Sequence, residues 1–274
     1  MILLLGCAPL LQDEVAVPWE VATRTLEGAL GYGRVLLVDG ERIVVGSDDA
    51  VCDGSDCYAA RDPLAVCVDT TLQWIEPDGL YGPTGRVRDF QSTAHAADFG
   101  PGCEWAVAHG GGVASSYGDF AFEDPRAVSI GDTLLVLECS ESCVVLDAES
   151  GDAVGEAGEG GQVVHWAEGI WWSDPQVGLD GGAGLVRGSS EHAGRPGDHL
   201  GRAIGGGYAA GTYNIDEAPG RLRLVPLGEG PVLALDRSSI GRPIVLAGDR
   251  ETLAIGLPHG PDLGRVHLIS RDAL

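Results

Sequence analysis

The chain has 274 residues and a mass of 28.4 kDa, 44% of it hydrophobic with a mean hydropathy of +0.08, which excludes a disordered acidic tail and a multispanning membrane protein. Forty-three glycines, 15 prolines and one methionine leave few long helical windows and favour β structure. All 17 basic residues are arginines, set against 41 carboxylates for a net charge of -24; such a surface repels nucleic acid, whose binding needs clustered cations, and equally repels an anionic membrane face.

The chain opens Met1-Ile2-Leu3-Leu4-Leu5-Gly6-Cys7 and turns polar up to about Val17. Leu4-Leu5-Gly6-Cys7 resembles the bacterial lipobox, whose cysteine is acylated and becomes the mature first residue. A secretory signal normally runs about 15 to 30 residues from a basic start. Here the residues before Cys7 are few and none is basic, so translation is expected to begin upstream. The resemblance implies a lipid anchor at Cys7, a tether over residues 1–18 and a domain over 19–274. Localisation follows as the bacterial cell envelope, periplasmic or surface-facing, with membrane contact only through the anchor. No later stretch reaches the roughly 18 apolar residues of a membrane-spanning helix.

The first regular element is a hairpin, GRVLLVDGERIVVGS at 33–47, turning at Asp39-Gly40, with PLAVCVD at 63–69 as its third strand. Between them Asp48, Asp49, Asp53 and Asp56 crowd a loop. The next unit is the least regular, with GRVRDFQ at 85–91, CEWAVAHGGG at 103–112 and SYGDFAF at 116–122. A compressed copy follows in GDTLLVLECSESCVVLDAESG at 131–151.

Apart from Cys7 there remain Cys52, Cys57, Cys67, Cys103, Cys139 and Cys143, an even number that fits a disulfide framework in an oxidising compartment. Many pairings are open. Proximity in sequence favours Cys52 with Cys57 and Cys139 with Cys143, which leaves Cys67 with Cys103. That last pair also lies in apolar runs, where a buried free thiol is common. Chain entropy gives the short loops about 2 kcal/mol each and the longer one roughly 4. Zinc is disfavoured, because no Cys-x-x-Cys occurs and no histidine stands at finger spacing.

The second half repeats itself. GQVVHWAEGIWWSDP at 161–175, GRAIGGGYAAGTYN at 201–214 and GRPIVLAGDRETLAIGLP at 241–258 each read as strand, tight turn, strand. A glycine opens a third strand each time, at Gly182, Gly220 and Gly264, spaced 38 and 44 residues apart, close to the length of a propeller blade. About six units fit between residue 20 and the end, so a single all-β propeller of six blades is expected, with seven as the alternative. The last unit lacks an outer strand, and residues 21–26 form a spare one; pairing them with 264–270 would close the ring and remove two exposed edges.

Gly197-Asp198-His199-Leu200-Gly201-Arg202-Ala203-Ile204 resembles the opening phrase of FG-GAP repeats, the blades of the integrin α-chain propeller, and Leu253-Ala254-Ile255-Gly256-Leu257-Pro258 with Gly264-Arg265-Val266-His267-Leu268 is similar to its closing phrase. The likeness is good over 160–270, fair over 24–69 and poor over 80–125. It implies a toroidal domain used mostly for recognition and adhesion. Family repeats often hold calcium in a carboxylate loop between their first two strands. The matching turns here, Asp39-Gly40-Glu41, Gly205-Gly206-Gly207 and Asp249-Arg250-Glu251, supply too few oxygens, which leaves Asp48, Asp49, Asp53 and Asp56 as the calcium candidate.

No nucleophile elbow, phosphate loop or HExxH is present. Two functions remain as expectations. One is a non-enzymatic envelope lipoprotein that binds a protein or carbohydrate, with Trp171 and Trp172 on opposite strand faces as ligand-contact candidates. The other is an exported hydrolase or lyase that converges His95, Asp98 and His109 at the propeller mouth.

Overall fold

A strand with two apolar faces needs a neighbouring sheet on each side, and Leu134–Glu138, buried at every position, shows how this chain supplies them. Leu134 and Val136 pack with Ala106, Ala108 and Val113 of the preceding sheet. Leu135 and Leu137 pack with Val163 and Trp172 of the following one. Each such leucine contributes about 1.5–3 kcal/mol by leaving water, so the sheets are stacked face to face through their second strands.

The computed structural model describes residues 14–17, 24–28, 31–167, 169–177, 183–194, 199–211, 222–235, 245–257 and 264–273. Among the described residues the strands form seven sheets of four antiparallel strands, one carrying a fifth. Blade I comprises Val35–Asp39, Arg42–Gly46, Ala50–Asp53 and Asp56–Ala59; blade II Ala65–Val68, Leu72–Glu76, Gly79–Gly82 and Gly85–Asp89. Blade III comprises Ala94–Phe99, Trp105–His109, Gly112–Ser115 and Asp119–Phe120; blade IV Pro125–Ile130, Leu134–Glu138, Val144–Asp147 and Ala153–Glu156. Blade V comprises Val163–Trp166, Gly169–Asp174, Leu185–Arg187 and Glu191–Ala193; blade VI Ala203–Gly205, Tyr208–Gly211, Leu222–Pro226 and Val232–Leu235. Blade VII runs Val245–Gly248, Thr252–Leu257 and Gly264–Ser270. Each blade's first strand touches the first strand of the next, and the seventh's touches the first's, which makes a closed β-propeller.

Seven blades, not six, correct the first expectation and meet its alternative. Inner strands begin at residues 35, 65, 94, 125, 163, 203 and 245, so the steps are 30, 29 and 31 in the first half and 38, 40 and 42 in the second. A period taken from the longer blades spans too much chain when laid over the short ones. Residues 63–69, read as a third strand of the first unit, open blade II. Residues 85–91, read as the start of the irregular unit, carry blade II's outer strand.

The expected closure is present: Arg24–Gly28 pairs antiparallel with the third strand of blade VII, from Arg24 opposite Leu268 to Gly28 opposite Gly264. Residues 21–23 of that expectation lie outside the described residues. Glu14–Val17, within the stretch read as tether, adds a parallel fifth strand beside Val232–Leu235, so the chain joins the domain before residue 19. Cys7 lies outside the described residues, as do Gly197, Asp198 and Pro258 of the FG-GAP-like phrases. No helix among the described residues is long and apolar enough to cross a membrane.

His199 and Leu200 lead into blade VI, where Leu200 is fully buried against Trp171 and Val186. Gly201 follows at φ +94, and a Cβ there would lie 2.4 Å from Ser173 Cβ, so both the backbone conformation and the crowding demand glycine.

All three favoured disulfides form. Cys52–Cys57 joins directly paired residues of blade I, Cys139–Cys143 closes the turn after Leu134–Glu138, and Cys67–Cys103 ties the inner strand of blade II to the turn that follows blade III's first strand. Denatured without reductant, the Cys7→Ser protein is therefore expected to show no titratable thiol; six thiols would remove the oxidising-compartment reading.

Candidate functional site

Strand alternation ordinarily places residues 86 and 88 on one face of blade II's outer strand. A β-bulge prevents this: Arg86 sits opposite Tyr81 and Arg88 opposite Leu80, with Val87 extra between them and 63% exposed. Tyr81 faces blade I and Leu80 faces blade III, so the two arginines are sent to opposite sides. On the blade I side Arg86 is satisfied by Asp78, Asp89 and Tyr81. On the blade III side the Arg88 guanidinium lies 4.6 Å from the centroid of Trp105, and among the described residues it has no ion pair or hydrogen bond.

Arg88 forms one wall of a groove of about 370 Å³ between blades II and III. Phe90, Gln91 and Ser92 continue that wall, and Trp105, His109, Ala114 and Asp119 face it from blade III. Trp105 is itself buried against Phe90, at 5.4 Å between rings, and so serves as the platform under Arg88 and not as an open surface. Nδ1 of His109 is buried and has no hydrogen-bond partner among the described residues. The groove thus offers a cation, two carboxylates, of which Asp89 is paired with Arg86, an amide and a hydroxyl around apolar ring edges, a set suited to holding a polar ligand. Nothing in GRVRDF announces the bulge, so sequence reasoning passed over Arg88.

The acid–base candidates do not converge. His109 pairs with Ala94 at one end of its strand, whereas Asp98 pairs with Ala106 near the other. His95 Nε2 lies 2.6 Å from the carbonyl oxygen of Pro125, and Asp98 accepts a hydrogen bond from the Ile130 N–H at 3.0 Å. Both therefore tie blade III to the inner strand of blade IV. Ser129 lies near Asp98, and its Oγ lies 3.2 Å from Nδ1 of His165 on blade V and accepts from the His165 N–H. Here the serine stands between acid and imidazole and is only 2% exposed, so neither partner can present it to a substrate as an activated nucleophile.

The other candidates have structural partners. Asp48 pairs with Arg34, Asp53 with Arg42, and Asp49 accepts from Ser47, while Asp53 and Asp56 flank a two-residue hairpin turn. Among the described residues no three of His, Cys, Asp or Glu gather in a metal-holding group. Trp171 packs toward blade VI; Trp172, partly exposed, packs toward blade IV and donates its indole N–H to the Glu156 carbonyl. Each tryptophan fills a different seam between blades.

No protein-family model matches this sequence, and no curated protein matches it. Solved structures do. The chain is similar to the β-propeller domain of Cps50 (Swd1) from Myceliophteria thermophila, with a TM-score of 0.60 and 13% identity over 90% of this chain and 98% of that one. It is similar to virginiamycin B lyase from Staphylococcus aureus, solved with quinupristin, with a TM-score of 0.56 and 11% identity over 90% of this chain and 99% of that one. It also resembles the extracellular domain of a hybrid two-component system from B. thetaiotaomicron, with a TM-score of 0.55 and 10% identity over 88% of this chain and 39% of that one. At such identities the likeness is one of fold: the chain is a single all-β propeller.

Burial pushes the Asp98 carboxyl up to about 6 from 3.8, against hydrogen bonds from Ile130, Ser129 and Phe99 that favour its charge. A raised acid binds its proton more tightly when folded, so this contribution is full below about pH 4 and is lost as pH rises to about 6, on the order of 2–3 kcal/mol. Asp98→Asn is expected to melt higher than wild type above pH 6.5, with the difference vanishing near pH 4 in a calorimetric series. A difference independent of pH would refute the assignment.

Proposed function

We propose that the protein is an envelope lipoprotein, anchored at Cys7, that recognises a protein or carbohydrate through the groove between blades II and III without catalysing a reaction. The observation that carries the reading is Arg88, an arginine held on an aromatic platform and without an ion pair or hydrogen bond to its guanidinium among the described residues, in a chain of net charge -24. Three disulfides support an oxidising compartment, and the FG-GAP-like phrases leading into blade VI and along blade VII support a recognition propeller. The second reading, an exported hydrolase or lyase, draws on the fold shared with virginiamycin B lyase.

A glycan and peptide array with the Cys7→Ser protein separates the two. Binding to one ligand class is expected, weakened about tenfold or more by Arg88→Ala and unchanged by Arg126→Ala. Ligand that is converted during incubation would favour the enzyme; binding indifferent to Arg88 would remove the groove from the reading.

The anchor has its own test. Acyl chains add about 0.8 kcal/mol per buried CH₂, enough to hold a domain whose charge a membrane repels. Expressed behind a complete export signal, the native chain is expected in the membrane fraction and Cys7→Ser in the soluble one; equal partition of the two refutes the anchor.

A further inference from the structure

We propose that the ligand of the groove is a carboxylated sugar, a uronate unit whose carboxylate pairs with Arg88; this rests on the recognition reading and names its ligand class. A guanidinium held over an indole and not consumed by a carboxylate keeps N–H groups available, and its fork matches a carboxylate through two parallel hydrogen bonds. The neighbouring arginine on the same strand shows the contrast, since Arg86 is consumed by Asp78 and Asp89.

Charge alone would also admit phosphate or sulfate, but the same groove contains Asp119, exposed and lacking any ion pair among the described residues. A multiply charged anion meets repulsion there. A sugar acid does not, because its hydroxyls donate to Asp119 while its single carboxylate meets Arg88. Gln91 and Ser92 serve hydroxyls in either direction. A volume of about 370 Å³ lies near the small end of ligand sites, room for one or two sugar rings with their C–H faces against Phe90 and Phe120. An acidic peptide fits less well: it brings no hydroxyls for Asp119, and its flanking carboxylates face a surface of net charge -24.

Titration calorimetry of the Cys7→Ser protein tests this with trimers that carry one galacturonic or one glucuronic acid unit between neutral sugars, their carboxyl-reduced neutral counterparts, and hexaglutamate. One uronate trimer is expected to bind saturably, with affinity falling about tenfold or more on carboxyl reduction and again with Arg88→Ala, and less with Arg88→Lys. Asp119→Asn, which leaves the arginine in place, is expected to weaken the uronate several-fold while leaving the melting temperature unchanged. Equal binding of the neutral trimer overturns the carboxylate pairing. Binding of hexaglutamate alone overturns the sugar, and silence toward both uronates overturns the inference. In each of those cases an array ligand that depends on Arg88 leaves the recognition reading standing, whereas the loss of every such ligand removes both.

Discussion

Everything in this molecule depends on one strand pair, Arg24–Gly28 against Gly264–Ser270, because a ring of stacked sheets has a seam until its first and last blades are joined. The pairing completes blade VII, whose other three strands come from the far end of the chain. Bringing together segments more than 200 residues apart costs loop entropy, though that cost grows only logarithmically with length. What offsets it is buried on both sides of the seam. Leu26 packs with Val266 and Leu268 of blade VII and with Val38 and Val45 of blade I, while Glu27 pairs with Arg265 and Thr25 with His267. A further link crosses between turns, where the Gly40 N–H donates to Asp249 at 2.8 Å.

Closure also decides where chemistry can sit. Inner strands are forced together at the axis, and polar side chains on them or beside them are spent on the neighbouring blade: His95 on Pro125, Asp98 on Ile130, Ser129 on His165, and Gln162, just before blade V's inner strand, on the Ile204 N–H. Buried donors and acceptors need partners in the absence of water, and the neighbouring strand supplies them. Groups that look catalytic in sequence thereby become inter-blade ties. Arg271 does the same work away from the axis, lying over Trp166 and Tyr208 and bonding the Gly206 carbonyl.

A ligand site therefore arises where regularity lapses. The bulge at residues 86–88 turns one arginine toward each neighbouring blade; one is neutralised and the other is left facing a groove. The outer strand tolerates this because it is an edge strand, paired with a neighbour on one side only, and every residue of Gly85–Asp89 is exposed, whereas the same insertion in Leu134–Glu138 would throw buried leucines out of both cores.

The sequence by itself determined what depends on neighbours along the chain: β structure from glycine and proline content, hairpins from turn residues, the repeat in the second half, the short cysteine pairs, and the strand left over for closure. Alternation was enough to send Trp171 and Trp172 to opposite faces. Blade number was not legible, because the first three steps between inner strands are near 30 residues and the last three near 40, and a one-dimensional period cannot say which strands are neighbours when the spacing changes. Arg88 was not legible either. Its direction is set by a single inserted residue, its platform by a tryptophan on the next blade, and its freedom by the capture of Asp89 by Arg86. Those are relations of strand pairing and of blade packing, and only the folded ring brings them into being.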